Sequence, residues 1–212
     1  MTAPSPQQVL ADLTADRVLA IVRAPGIADA GALRDALAAG GIRCMELTFT
    51  IPDVLRHLER AASAAGGDVL LGAGTVRSAG EARDAVSAGA TFLVAPDVNE
   101  QVAEAARDLG VAYFPGAMTP TEVARAETLG ATAVKVFPAA TLGARFLRDL
   151  AGPFPQVPLL PSGGITEQNA ADFLSAGAVA VAAGTGVVPP DAVAGGDWAD
   201  ITARARSFRS HL

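Results

Sequence analysis

The stretch TLGATAVKVFP (residues 128–138) contains a glycine that is followed at once by an apolar run. The pattern recurs in four other stretches: AAGGIRCMELT (38–48), SAGATFLVAP (87–96), DLGVAYFPG (108–116) and SAGAVAVAAG (175–184). A glycine can take the left-handed conformation that closes a helix. An apolar run without alternation is typical of a parallel strand that is buried on both faces. The repeat therefore predicts helix-to-strand junctions at intervals along the whole chain.

Counting outward from these junctions, the sequence predicts eight strands, each followed by an amphipathic helix. The predicted strands are 18–23, 44–49, 69–74, 92–95, 112–115, 133–137, 158–161 and 179–183. Eight such units joined by right-handed crossovers are typical of a (β/α)8 TIM barrel. We therefore predict an α/β fold, a (β/α)8 TIM barrel with an extra N-terminal helix near residues 5–15, as a single domain over residues 1–212. A doubly wound open sheet is the alternative, because pattern alone does not prove closure.

Composition and charge narrow the class of protein. Half of the 212 residues are hydrophobic and 18% are charged, and the formal net charge is −6. Scattered arginines in an acidic chain argue against nucleic-acid binding, and no apolar run is long enough to span a membrane. The start MTAPSPQQ lacks the features of a secretory signal, so we expect a cytoplasmic protein. A single cysteine and two histidines predict neither a disulfide nor a metal site.

Lys135 is the one lysine among sixteen basic residues, and it lies in an apolar strand. It is the fifth residue after Gly130, and Glu46 is the fifth residue after Gly41. In a (β/α)8 barrel, alternate strands supply one interior layer, so we expect these two side chains to face each other near the C-terminal mouth. Cys44, two residues before Glu46, is predicted to be a small core residue on the same face.

An amine next to a carboxyl group suggests imine chemistry. Burial disfavours the charged form of lysine, and a neutral amine can attack a carbonyl carbon. Glu46 would then move protons as the general acid and base. The alternative is a structural Lys–Glu ion pair, although such buried pairs add little stability. Arginine could not form the imine, which gives a reason for one lysine among arginines.

Two glycine-rich segments follow the last two predicted strands. PSGGI (161–165) and AAGTG (182–186) predict a phosphate site formed by Ser162, Gly163, Gly164, Gly184 and Thr185. On the third strand, LLGAGTV (70–76) places Gly72 and Gly74 on one face, where they leave space, and Thr75 at the mouth. The alternative for each segment is an ordinary tight turn.

Taken together, these motifs resemble the 2-keto-3-deoxy-6-phosphogluconate (KDPG) aldolases, which also act as 4-hydroxy-2-oxoglutarate (KHG) aldolases. The resemblance runs from about residue 16 to the end, through VRAPGIADA, MELTFTIPD, LGAGTV, FLVAPDVNE, YFPGAMTPTE, VKVFPA, GPFPQVPLLPSGGI and GTGVVP. It implies a class I, metal-independent lyase without a cofactor. Such an enzyme cleaves the phosphorylated keto acid to pyruvate and glyceraldehyde 3-phosphate, as a cytoplasmic homotrimer of the Entner-Doudoroff pathway.

Carried over by position, the resemblance implies a role for each motif residue. Lys135 would form the Schiff base and Glu46 would shuttle protons. Thr75 would hold the pyruvyl carboxylate, Pro96 and Phe137 would line the pocket, and Ser162, Gly163, Gly164 and Thr185 would bind phosphate. Many members carry an arginine four residues after the glutamate, where this chain has Thr50. Arg23, at the end of the first strand, is the candidate replacement or a phosphate partner.

Three other functions stay open at this level. A phosphate-binding barrel isomerase or epimerase would keep the glycine loops, but it would not need an interior lysine. An aldolase for the C4-epimeric galactonate substrate would share every motif. A degenerate barrel that only binds phosphorylated ligands would have no reason to keep Lys135, Glu46 and Thr75 together.

Overall fold

The chain folds into alternating strands and helices in a computed structural model that describes residues 3–64 and 69–212. The strands are β1 (Val18–Val22), β2 (Cys44–Thr48), β3 (Leu70–Gly74), β4 (Phe92–Val94), β5 (Ala112–Phe114), β6 (Gly116–Ala117), β7 (Val134–Val136), β8 (Leu159–Pro161) and β9 (Val181–Ala183). The helices are α1 (Pro6–Asp16), α2 (Ala30–Ala39), α3 (Val54–Ser63), α4 (Ala79–Ser87), α5 (Glu100–Leu109), α6 (Pro120–Thr128), α7 (Ala139–Ala151), α8 (Ala170–Ser175), α9 (Pro190–Gly195) and α10 (Trp198–Arg209). The predicted domain bound at residue 1 falls outside the described residues.

All strand pairs are parallel and form two sheets. The larger sheet has the order β5-β4-β3-β2-β1-β9, and the smaller has the order β6-β7-β8. The run from β5 to β1 follows chain order without the reversal of a doubly wound sheet, so the six strands form a half-barrel of the TIM type. An isolated bridge between Ser162 and Ala182 connects β8 to β9. On the other side, Thr132 N, two residues before β7, donates to Tyr113 O in β5 at 2.9 Å.

The number of strands differs from the prediction at the fifth one. The predicted strand 112–115 is present as β5, but a separate two-residue strand, β6, follows Pro115 and pairs with β7 in the other sheet. Proline has no N–H to donate, so the ladder is interrupted there. Gly116 then passes so close to the carbonyl of Pro96 that a side chain would collide with it. The described residues therefore contain nine strands in two sheets where eight strands were predicted.

The five junction glycines behave as the sequence repeat predicted. All of them have positive φ, between 69° and 103°: Gly41, Gly89, Gly110, Gly130 and Gly177. Each ends a helix segment in the left-handed region and lets the chain enter the next strand. The strands that follow these glycines, namely β2, β4, β5, β7 and β9, begin two to four residues after them.

Two apolar cores lie on the two faces of the strands. The larger core fills the layer between strands and helices. The smaller one lies on the inner face and includes Val9 and Leu13 of α1 together with Cys44, Phe92 and other strand residues. The extra N-terminal helix is therefore confirmed, and it packs its apolar side against the inner face. Ser5 caps it, because the Ser5 side chain accepts a hydrogen bond from Gln8 N.

No helix among the described residues is long and apolar enough to cross a bilayer.

Candidate active site

The structure places Lys135 and Glu46 on the inner face of the strands. Cys44 and Ala133 belong to the inner core, and successive side chains of a strand alternate between faces. Glu46 and Lys135, each two residues further along, therefore point to the same inner side. Both are buried, with 1% and 7% of their surface exposed. Such burial of two ionisable groups in the middle of parallel strands is unusual for purely structural residues.

The carboxyl group of Glu46 has no hydrogen-bond partner. Both of its oxygens are buried and unpaired among the described residues. Burial raises the pKa of Glu46, while the positive charges of Lys135 and then Arg23 partly offset the effect. A buried polar group without a partner destabilises a protein unless something else occupies the space beside it. Glu46 forms no ion pair with Lys135 among the described residues, so both of its oxygens are available to a bound molecule.

The amine of Lys135 contacts an aromatic ring. Lys135 Nζ lies 5.4 Å from the centroid of the Phe137 ring, within the range of a cation–π contact. Phe137 is 42% exposed, although it is a large apolar residue. Its ring also covers Gly163, where an added Cβ would lie 2.9 Å from Phe137 Cε2. Phe137 thus connects the amine to the first glycine-rich loop.

The two glycines of β3 leave space on one face of the strand, as the sequence predicted, and side chains from neighbouring strands occupy it. A side chain at Gly72 would collide with the Phe92 ring. A Cβ at Gly74 would lie 2.7 Å from Glu46 Cδ and closer still to Oε1. Both gaps are therefore filled from neighbouring strands, one by an aromatic ring and the other by the carboxyl group of the candidate acid and base.

Arg23, Thr50 and Thr75 form a hydrogen-bonded group. Arg23 Nη1 donates to Thr50 Oγ1 at 3.0 Å, and Arg23 Nη2 donates to Thr75 Oγ1 at 3.2 Å. Thr75 has φ of 60°, a conformation that is rare for a β-branched residue. Thr50, two residues after β2, is thus hydrogen-bonded to Arg23, the residue that directly follows β1.

Sequence reasoning missed Thr48. It is fully buried on β2, two residues after Glu46, and its Oγ1 donates to Val22 O at 3.0 Å. Thr48 Oγ1 also lies 2.8 Å from Thr50 Oγ1. The alternation of Cys44, Glu46 and Thr48 along the strand was the signal that could have found it, because it places all three on one face.

The two glycine-rich loops lie side by side. Ser162 is buried and pairs with Ala182, two residues before Gly184. Gly163 and Gly164 both have positive φ, and a side chain at Gly164 would collide with Ala140.

The second of these loops is more open than the first. No atom lies within 4 Å of the position that a Cβ at Gly184 would take. The next residue, Thr185, is exposed. The structure therefore brings together the residues predicted to bind phosphate and leaves open space beside Gly184.

Pro96 is half-buried, and it lies next to the site because it contacts Gly116. Its carbonyl packs against Gly116, which pairs directly with Lys135 in the smaller sheet. Cys44 is fully buried, and burial strongly raises the pKa of its thiol, so it is an inert core residue. The described residues contain no cluster of three or more His, Cys, Asp or Glu side chains that could hold a metal ion.

Comparison with known proteins assigns the family. The family model for the KDPG and KHG aldolases matches residues 9–204. This chain belongs to that family. The aldolase match spans every motif on which the sequence-based resemblance rested.

Individual aldolases support the assignment over most of the chain. The 2-dehydro-3-deoxy-phosphogluconate aldolase of Treponema pallidum is 39% identical, covering 88% of this chain and 89% of the relative. The KHG/KDPG aldolase of Escherichia coli is 33% identical, covering 92% and 91%. The KDPG aldolase of Legionella pneumophila, solved with pyruvate as a covalent carbinolamine, is 31% identical with a TM-score of 0.87, covering 97% and 98%. As a member of this family the protein is an aldolase, and therefore a lyase.

Proposed function

We propose that this aldolase is a class I enzyme that cleaves KDPG to pyruvate and glyceraldehyde 3-phosphate, and also KHG to pyruvate and glyoxylate. The observation that carries the proposal is the pairing of buried Lys135 with a buried Glu46 whose oxygens have no partner. The names of the relatives in Treponema pallidum and Escherichia coli support these two substrates.

Lys135 is the proposed nucleophile. Its nitrogen attacks the C2 carbonyl carbon of the keto acid and forms a carbinolamine, which loses water to give an iminium. The carbinolamine captured in the Legionella pneumophila relative supports this route. The Phe137 ring, whose centroid lies 5.4 Å from Nζ, is proposed to shield one side of the amine from water.

Glu46 is the proposed proton carrier. As the acid it protonates the departing carbinolamine hydroxyl, and as the base it then removes the proton of the C4 hydroxyl. The C3–C4 bond breaks, its electron pair moves into the iminium to form an enamine, and the aldehyde leaves. Glu46 returns the proton to C3, and water hydrolyses the imine to release pyruvate. A carboxyl group with a raised pKa and no competing partner suits both directions of transfer.

The keto acid carboxylate is proposed to bind at Thr75 and Arg23. Arg23 extends from β1 towards Thr50 after β2 and Thr75 after β3. One glycine-rich loop follows β9, which pairs with β1 on the side away from β2 and β3. The other follows β8, which an isolated bridge connects to β9. Arg23 therefore extends away from the glycine-rich loops. This supports Arg23 as the replacement for the family arginine whose position Thr50 takes, and it argues against Arg23 as a phosphate partner.

The phosphate is proposed to bind in the glycine-rich loops, with Ser162, Gly163, Gly164, Gly184 and Thr185. Backbone N–H groups near glycine can approach phosphate oxygens closely. The open space beside Gly184 supports this position. Pro96 and Phe137 are proposed to line the pocket between the phosphate and the reacting carbons.

The galactonate epimer is the second candidate substrate. It differs from KDPG in the orientation of one hydroxyl group at C4, which is the group that Glu46 would deprotonate. Parallel assays with both epimers at equal concentration, coupled to pyruvate detection, would rank them directly.

Trapping with pyruvate and borohydride tests the mechanism. Borohydride reduces an iminium to a stable secondary amine, so the intact mass of the wild-type protein should increase by one pyruvyl group. Lys135→Arg keeps the positive charge but cannot form the imine, so it should show no increase. Peptide mapping should locate the adduct at Lys135. An unmodified wild-type protein, or equal labelling of the variant, would overturn the proposal.

The fold, the oligomeric state, the location and the pathway belong to the same proposal. The bonds that join the two sheets at both edges support a closed (β/α)8 barrel in a single domain. We also propose a homotrimer, a cytoplasmic location and a role in the Entner-Doudoroff pathway, without a cofactor or metal. Light scattering coupled to size-exclusion chromatography would measure the oligomeric state, and a mass other than that of three chains would contradict the trimer.

A further inference from the structure

A line of hydrogen bonds runs from the backbone of β1 through two hydroxyl groups to Arg23. Thr48 Oγ1 donates to Val22 O, Thr48 and Thr50 Oγ1 lie 2.8 Å apart, and Arg23 Nη1 donates to Thr50 Oγ1 at 3.0 Å. Thr48 is fully buried, whereas Thr50 and Arg23 are exposed at the ends of their strands. The line therefore leads from the core to the surface of the site.

The chemistry of the groups fixes the direction of every bond. A carbonyl oxygen can only accept, and a guanidinium can only donate. The one hydroxyl proton of Thr48 is used on Val22 O, so Thr48 must accept the proton of Thr50. Thr50 therefore presents a lone pair, and not a proton, to Arg23. If Thr48 donated to Thr50 instead, the hydroxyl proton of Thr50 would face the N–H of Arg23, and the two donors could not form a hydrogen bond.

This order matters because Arg23 is exposed and long. Fixing such a side chain costs conformational entropy, because many rotamers are reduced to one. Thr50 and Thr75 hold one terminal nitrogen each. Within the described residues no other hydrogen bond engages Arg23, so the remaining N–H groups are free to meet a planar carboxylate.

We propose that Thr48 is a positioning residue for substrate binding. Its buried hydroxyl orients Thr50, and through Thr50 it holds the Arg23 guanidinium towards the carboxylate of the keto acid. The inference rests on the proposed function, because it takes Arg23 as the group that binds this carboxylate. The inference adds Thr48, which no sequence motif indicated, to the residues proposed for substrate binding. It also gives Thr50 a function, which is to hold Arg23 in place.

Two substitutions at Thr48 separate hydrogen bonding from packing. Thr48→Val keeps the shape and loses the hydroxyl, whereas Thr48→Ser keeps the hydroxyl and loses the methyl group, whose carbon lies near Gly74. For Thr48→Val we expect KM for the keto acid to rise about tenfold, as for one lost hydrogen bond to a charged group, with kcat changed much less. Thr48→Ser should stay close to wild type. An unchanged KM in Thr48→Val, or an equal loss in Thr48→Ser, would overturn the inference.

Thr50→Val tests the same line of hydrogen bonds at its second hydroxyl group. Thr50 is exposed, so the variant should fold normally. It should raise KM to the same extent as Thr48→Val, and the double variant should be no worse than either single one, since both break the same line. Additive effects of the two substitutions would overturn the inference.

Borohydride trapping with two ketones links the effect to the carboxylate. Thr48→Val should require about tenfold more pyruvate for half-maximal trapping than wild type, whereas the concentration of methyl pyruvate, which has no carboxylate charge, should not change. An equal loss with both ketones would place the defect at Lys135 or Glu46 and overturn the inference. If even the wild-type protein traps no pyruvate, the proposed function itself fails, which distinguishes the two outcomes.

Discussion

The carboxyl group of Glu46 occupies the space that a side chain at Gly74 would fill. The two residues belong to neighbouring strands, β2 and β3, with Glu46 opposite Gly72 in the register and Gly74 opposite Thr48. The Glu46 side chain therefore leans along the sheet towards the C-terminal end of β3. Its position depends on the absence of a single carbon atom on that strand.

Gly74→Ala should displace this carboxyl group. The new Cβ would lie 2.7 Å from Glu46 Cδ and 3.1 Å from Thr48 Cγ2, both below normal contact distance. A misplacement of about 1 Å can cost roughly 10²-fold in rate, so we expect kcat to fall by about that factor in a pyruvate-release assay. Gly80→Ala in α4, where the nearest atom is 3.7 Å away, is the matched control and should keep full activity. Full activity of Gly74→Ala would show that the carboxyl group has freedom to move.

Glu46→Gln should lower turnover and raise stability at neutral pH. Loss of a general acid and base costs roughly 10²–10⁴ in rate. The pKa of Glu46 is raised above its ordinary value of 4.5 by burial, so the folded state binds the proton more tightly than the unfolded state does. The free energy of unfolding contributed by this group is therefore greatest below pH 4.5 and falls as the pH rises towards the folded-state pKa.

Glutamine does not titrate, so thermal unfolding of the two proteins gives a pH-dependent comparison. The Gln variant should gain on wild type progressively as the pH is raised from 4 to 8. A difference that does not change with pH, or one that favours wild type at pH 8, would contradict the burial of an unpaired carboxyl group.

Thr75 should show a conflict between stability and binding. Its positive φ costs a non-glycine residue roughly 1–2 kcal/mol, while glycine loses about 0.5–1 kcal/mol through its greater freedom when unfolded. We therefore expect Thr75→Gly to unfold in urea at the same concentration as wild type or a slightly higher one. Thr75→Val keeps the strain and should be the less stable of the two variants. Both lose the hydroxyl that accepts from Arg23, so both should raise KM about tenfold, and a wild-type KM in either would contradict the role of this hydroxyl.

Gly184→Ala should discriminate between the two substrates. The new methyl group meets no protein atom within 4 Å, so stability should not change. It would instead enter the space proposed for the phosphate and raise KM for KDPG about tenfold, the effect of one or two lost hydrogen bonds. KHG has no phosphate, and its KM should stay the same. Gly186→Ala, which also meets no atom within 4 Å, is the control and should resemble wild type with both substrates.

The sequence predicted the features that depend on local chemistry. The glycine at the end of each repeat ends a helix by its own backbone preference, so the positions of Glu46 and Lys135 on the inner face could be derived by counting residues. The extra N-terminal helix was also predicted, near residues 5–15, and the structure has it at Pro6–Asp16 with Ser5 as its cap.

The features that the sequence did not predict depend on contacts between distant segments. Pro115 was visible in the sequence, but the second short strand after it arises because Gly116 meets Pro96 and pairs with Lys135. The sequence also left open whether Glu46 forms an ion pair with Lys135, since strand spacing gives the face of a side chain but not its distance across the site. The role of Thr48 depends on a carbonyl group 26 positions earlier in the chain.

The five-residue interval from Gly130 to Lys135 makes the length of this segment more critical than its composition. Backbone bonds at Thr132, Val134 and Lys135 tie it to the neighbouring strands on both sides. One inserted residue within the interval would shift the strand by one position and turn the lysine outward among the helices, since strand side chains alternate. An insertion ahead of Thr119, in the turn before α6, would leave the interval intact. The identity of the residues between this glycine and this lysine can therefore vary, but a change in their number would remove the lysine from the inner face while keeping it in the sequence.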